Sequence, residues 1–230
     1  MRLRFATAIL CCLCLGGALS ACGGSSSSSS SSAADNGVSA KAPNDIVTSA
    51  AQAVKGVTSI HVAGSTTSDN SPVSLDLHLV AGKGGRGTLS FQGQSLQIVA
   101  IGQTVYINAP ASFWSKFANA QAAALLHDKW LKAPAGGQFS PFASLTNVTD
   151  LFNQLLSQHG TLSKGSATTV DGQKTIGVVD TSKGGTLYVA TTGKPYPVEL
   201  VKGASKVVFD QVNQPVSLSA PANAISVPGQ

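Results

Sequence analysis

The most regular pattern in the chain is strict alternation. In Val73-Ser74-Leu75-Asp76-Leu77-His78-Leu79 every second side chain is aliphatic and those between are polar, so the four aliphatic side chains share one face of a half-buried strand. Comparable runs occupy residues 59–64, 88–91, 95–101 and 104–107, with residues 69–72, 82–87, 92–94 and 102–103 as turns between them. Short connections rich in Gly between such runs predict antiparallel hairpins. The pattern returns at residues 161–169, 175–180, 186–191, 196–201, 206–209 and 216–218.

Elsewhere the period changes to that of a helix. Ile46, Val47, Ala50, Ala53 and Val54 fall on one stripe, predicting a helix over 45–55 with Asn44 as N-cap and Gly56 as its stop. Between the two groups of strands, Phe113, Trp114, Phe117, Leu125 and Leu126 predict a helix over 112–126. Asn147 or Thr146 opens a second over 147–158. The order helix, meander, helical insert, meander lacks βαβ spacing. It predicts an α+β domain, one large antiparallel sheet with the helices gathered on one face.

The first residues follow neither period. Met1-Arg2-Leu3-Arg4 is basic, Ile9-Leu10-Cys11-Cys12-Leu13-Cys14-Leu15 is apolar, and Leu19-Ser20-Ala21-Cys22 ends the segment. This is the layout of a secretory signal peptide over 1–21. Leu19-Ser20-Ala21-Cys22 matches the bacterial lipobox, in which the cysteine receives a diacylglyceryl group and becomes residue one of the mature chain. Cys22 is therefore the expected lipidation site, and the expected location is the extracytoplasmic face of the cell membrane. The serine run Ser25 to Ser32 belongs to an expected acylated and disordered tether over 22–43. That leaves 44–230 as a single domain, roughly 185 residues long.

Composition narrows the function classes. Charged residues are 11% of the chain, hydrophobic residues 43%, and Gly occupies 24 positions, the balance of an exported β-rich domain. The formal charge of +5 falls to +3 once Arg2 and Arg4 leave with the leader. The remaining basic residues stand singly, without the clustering that nucleic acid requires. Cys11, Cys12 and Cys14 lie in the apolar run, so no disulfide is expected. Beyond the leader no apolar run reaches the ~20 residues of a membrane span.

Catalytic chemistry finds little support. His61, His78, His127 and His159 show no metal-ligand spacing, no Gly-x-Ser-x-Gly elbow occurs, and carboxylates are few. Gly82-Lys83-Gly84-Gly85-Arg86-Gly87-Thr88 has P-loop glycines, but Thr88 stands where the phosphate-binding lysine belongs, so it reads as a hairpin loop. No enzyme activity, metal or cofactor is expected. Leu75, Leu77, Leu79, Leu89, Phe91, Ile98 and Leu187, with Trp114, Phe117 and Leu151 from the helices, form the expected layer between sheet and helices. That layer is either a solid core or the lining of an apolar cavity. The small residues Ala118, Ala120, Ala122, Ala123 and Ala124 favour the cavity, since they fill less space over a sheet.

Several segments, taken in order, resemble the LppX/LprG-type lipoproteins of mycobacteria and related actinobacteria, within the LolA-like group. They are the lipobox and tether, the opening helix before Thr58-Ser59-Ile60-His61-Val62, and the hairpin Gly102-Gln103-Thr104-Val105-Tyr106-Ile107. Lys129-Trp130-Leu131-Lys132-Ala133-Pro134 follows, and then Gly185-Thr186-Leu187-Tyr188-Val189-Ala190-Thr191-Thr192-Gly193-Lys194-Pro195-Tyr196-Pro197. The resemblance implies a sheet curled into a half-barrel, helices on its concave face and an apolar cavity for acyl chains. It further implies binding of a lipid or glycolipid, carried or presented within the envelope without chemistry, with an envelope export partner. The competing reading is a surface interaction or adhesion module with a packed core and no lipid ligand.

Overall fold

The computed structural model describes residues 34–68 and 71–226. The leader, Cys22 and most of the expected tether lie outside them. Among the described residues the order is α1 (Pro43–Lys55), β1 (Ser59–Ser68), β2 (Ser71–Val80), β3 (Gly84–Phe91), β4 (Gln94–Ile101), β5 (Thr104–Asn108), α2 (Ala111–Phe117), α3 (Ala120–Leu126) and β6 (Trp130–Pro134). Then come α4 (Ser140–Leu145), α5 (Val148–Ser157), β7 (Leu162–Val170), β8 (Gln173–Asp180), β9 (Thr186–Ala190), β10 (Pro197–Lys202), β11 (Ser205–Asp210) and β12 (Ile225–Ser226).

All twelve strands join one curved, unclosed sheet in the order β12-β6-β5-β4-β3-β2-β1-β11-β10-β9-β8-β7. The pairings are antiparallel except that of β12 with β6. The fold is α+β, with the helices on the concave face.

Register converts alternation into a core. Leu77 stands opposite Val62 on β1 and Gly87 on β3. Gly87 faces Ile98, Ile98 faces Ile107, and Ile107 faces Leu131. On the other side Val62 faces Phe209. One apolar row thus crosses the sheet from β6 to β11, and Leu77, Val62, Ile98 and Ile107 in it are wholly shielded from water. Each such side chain contributes about 1.5–3 kcal/mol by burial. Among the described residues, which begin at 34, every strand pairing and every core residue belongs to one domain. A chain beginning at Ala33 therefore keeps the whole core.

The structure departs from the sequence reading at particular places. The expected tether joins the domain at Asp35, which bridges to Thr192. The Asn36 side-chain amide donates to the carbonyls of Ala190 and Gly193, each at 3.0 Å, and Val38 is buried beside Ile46 and Val47. Helix α1 starts at Pro43, with Ala42 in place of Asn44 as its N-cap and no side-chain cap bond. The helix expected over 112–126 is two, because Ala118 leaves helical geometry and Asn119 accepts from the Ala122 amide at 2.8 Å to start α3. Residues 84–87, read as loop, belong to β3. A Cβ at Gly87 would overlap the Asp76 carbonyl oxygen and lie 2.9 Å from Leu77 Cα, so the close approach of β2 and β3 admits only glycine. Residues 216–218 form no strand. The chain instead runs on to the far edge, where Ile225 pairs with Leu131 of β6. Strand β6 and helix α4 were not anticipated.

Candidate functional site

Helices α1 and α5 pack together, with α1 over β7, β8 and β9. On the other half of the sheet α4 packs on β4, and α2 packs with α3. An apolar cavity of about 390 Å³ opens between the two layers.

Its floor comes from hairpin register. Val73 at the start of β2 pairs with Phe91 at the end of β3, and Leu96 on β4 pairs with Leu89. Gln92 and Gln94 flank the β3–β4 turn. Its wall comes from α2, where Phe113 and Phe117 are one helical turn apart and so share a face. Their rings stack at 5.2 Å between centroids. Phe142 and Leu145 of α4 complete the wall. Phe117 is the hub, meeting Trp114 at 6.3 Å, Phe139 at 6.1 Å and Phe142 at 6.2 Å in addition to Phe113.

Two large apolar side chains of this lining remain in water, Phe91 at 42% and Phe117 at 38% exposure. Among the described residues Lys116 is the one ionisable residue of the lining. The Gln94 side-chain oxygen is shielded from solvent and accepts no hydrogen bond, an omission worth about 1–3 kcal/mol when left unmade. The cavity therefore offers an apolar hollow with a cation beside it. Another cavity of about 400 Å³ lies by the turns at Gly82 to Gly84 and Gly102, against Ser140, Ser144, Asn147 and Asp150. Its polar lining gives an alkyl chain little.

Of the residues nominated from sequence, Phe91 and Phe117 line the apolar cavity. Leu77, Leu79, Leu89, Ile98, Trp114 and Leu151 are buried in the core beneath the helices, and Leu75 is half-buried against it. Leu187 lines a separate hollow of about 130 Å³ with Val47, Leu155 and Leu156. Cys22 lies outside the described residues. Val73, Gln92, Gln94, Leu96, Phe113, Lys116, Phe142 and Leu145 were not nominated. The cue for Phe113 was its four-residue spacing from Phe117, and for Val73 its place in the alternation.

No family model matches this sequence, and no curated protein matches it. Solved structures do. The lipoprotein LppX of Mycobacterium tuberculosis aligns at 20% identity with a TM-score of 0.51, covering 77% of this chain and 98% of its own. LprF of Mycobacterium bovis aligns at 14% identity and a TM-score of 0.48, covering 78% of this chain and 96% of its own. A chain of the Pseudomonas aeruginosa MucA/MucB complex aligns at 15% identity and a TM-score of 0.36 over 79% of this chain and 59% of its own. The fold is shared with LppX.

Proposed function

We propose that this protein is a membrane-anchored extracytoplasmic lipoprotein that binds a lipid by an acyl chain in the apolar cavity, and carries or presents it within the cell envelope. The carrying observation is the lining itself: large apolar side chains, two of them left partly in water, around a formed hollow. Each methylene moved from water onto those rings contributes about 0.8 kcal/mol. The volume is at the lower end of the ~300–1,000 Å³ range of ligand sites, which suits one chain rather than several. Lys116 at the wall favours an anionic headgroup. Anchoring rests on Cys22 and its lipobox, and the fold shared with a lipoprotein agrees with it.

The test is native mass spectrometry of residues 33–230 produced in an actinobacterial host, followed by organic extraction. One acyl lipid per chain, lost in a folded Leu145→Trp variant whose indole fills the hollow, supports the reading. An apo mass that takes up neither added fatty acid nor glycolipid overturns it and favours the adhesion module.

A further inference from the structure

The convex face of the sheet carries a constellation that lipid binding does not use. His61 on β1 stands directly opposite His78 on β2 and Asp210 on β11. Asp76, two residues before His78, points to the same face. His61 is the centre of the group. Its Nδ1 lies 2.6 Å from Asp210 Oδ1, its Nε2 lies 3.2 Å from Asp76 Oδ1, and its ring stacks on His78 at 4.4 Å between centroids. The His61 side chain is 13% exposed, whereas Asp76 is 64% exposed, so the group is rooted in the sheet and open on one side.

We infer that His61, Asp76 and His78 bind one divalent transition-metal ion of the zinc type, with Asp210 as the carboxylate that orients His61. Metal-bound histidines commonly donate their second ring N–H to a carboxylate, which fixes the tautomer and raises ligand basicity. Asp210 is placed to accept that N–H from Nδ1. The Nε2 lone pair then faces the Asp76 carboxylate, and two acceptors so close repel unless a proton or a cation stands between them. Their 3.2 Å separation is near the ~3.3 Å edge of a tetrahedron with metal–ligand bonds of about 2.0 Å.

The ligand atoms of all three residues already lie within 4.8 Å of one another. Binding needs the His78 ring to turn out of its stack on His61. Arg86, opposite His78 on β3, is the cation facing the cluster and opposes the metal's charge. Two imidazoles and one carboxylate suit zinc or cobalt, and are poor in oxygens for calcium or magnesium.

Residues 33–230 contain none of the four cysteines, so thiolates cannot compete for metal. Metal-stripped protein titrated with Zn²⁺ by calorimetry should take up one ion per chain, and Co²⁺ should give a visible d–d band. His78→Ala and Asp76→Asn, each checked for folding by circular dichroism, should weaken binding by at least about tenfold. Asp210→Asn should weaken it about ten- to a hundredfold at unchanged stoichiometry. Absence of Zn²⁺ uptake overturns the inference. So does affinity unchanged in folded His78→Ala, or affinity lost instead in a His127→Ala, His159→Ala double variant.

Discussion

Removing the Phe117 ring tests whether the aromatic wall is built as described. Phe→Ala at a fully buried site costs about 3–5 kcal/mol. Phe117 is 38% exposed, so roughly two-thirds of that applies, about 2–3 kcal/mol, with its four aromatic neighbours supplying the packing that is lost. For a domain of this size each kcal/mol moves the midpoint by about 2–4 °C. Phe117→Ala in residues 33–230 should therefore melt about 4–12 °C below the parent by circular dichroism. The variant still folds and has a wider cavity, so a fatty acid at about a hundred times its Kd should return about 2.7 kcal/mol by mass action, close to the loss. Leu125→Ala, at 54% exposure, serves as the control and should stay within about 0.5 kcal/mol. A Phe117→Ala melt within about 1 °C of the parent would show that the ring lies idle in solvent. Loss of folding would place it in the core, and either result refutes the wall.

Three further outcomes are expected. Backbone amides of Lys183, Gly160 and Ser182 hold Asp180 well below the usual carboxylate range, so its contribution is present above the unfolded value near ~3.9 and fades as pH falls below it. Asp180→Asn should lower the melting temperature at pH 7 and flatten its acid limb; melts parallel to the parent from pH 7 to pH 3 would contradict this. Gly87→Ala forces a methyl into the Asp76 carbonyl and should cost about 3 kcal/mol, the upper range for over-packing, read as a shifted urea midpoint. Cys22→Ala should move the protein from the membrane to the soluble fraction with an unchanged dichroism spectrum, and its retention in the membrane would refute the anchor.

Alternation reports which side chains face the helices, and that is why the strands were legible. Leu77 and Leu79 on β2, and Ile98 on β4, are where period two placed them. The glycines of β3 misled because composition is a local signal. The demand for a missing Cβ at Gly87 is made by the backbone of β2, and only the paired register shows it. The same limit applies to both sites. His61 and His78 sit on the polar phase of the alternation, far apart along the chain, and become neighbours through the β1–β2 register. On the apolar phase, Leu89 and Phe91 are equivalent to any periodicity, yet Leu89 is 6% exposed and Phe91 is 42% exposed. Phe91 lines the cavity, and Leu89 belongs to the core. Two residues along one strand thus separate core from cavity, and what decides is where α2 and α4 stop. Helix α2 runs from its N-cap Pro110 to the break at Ala118. The insert that supplies the wall therefore also fixes how much of the sheet stays uncovered.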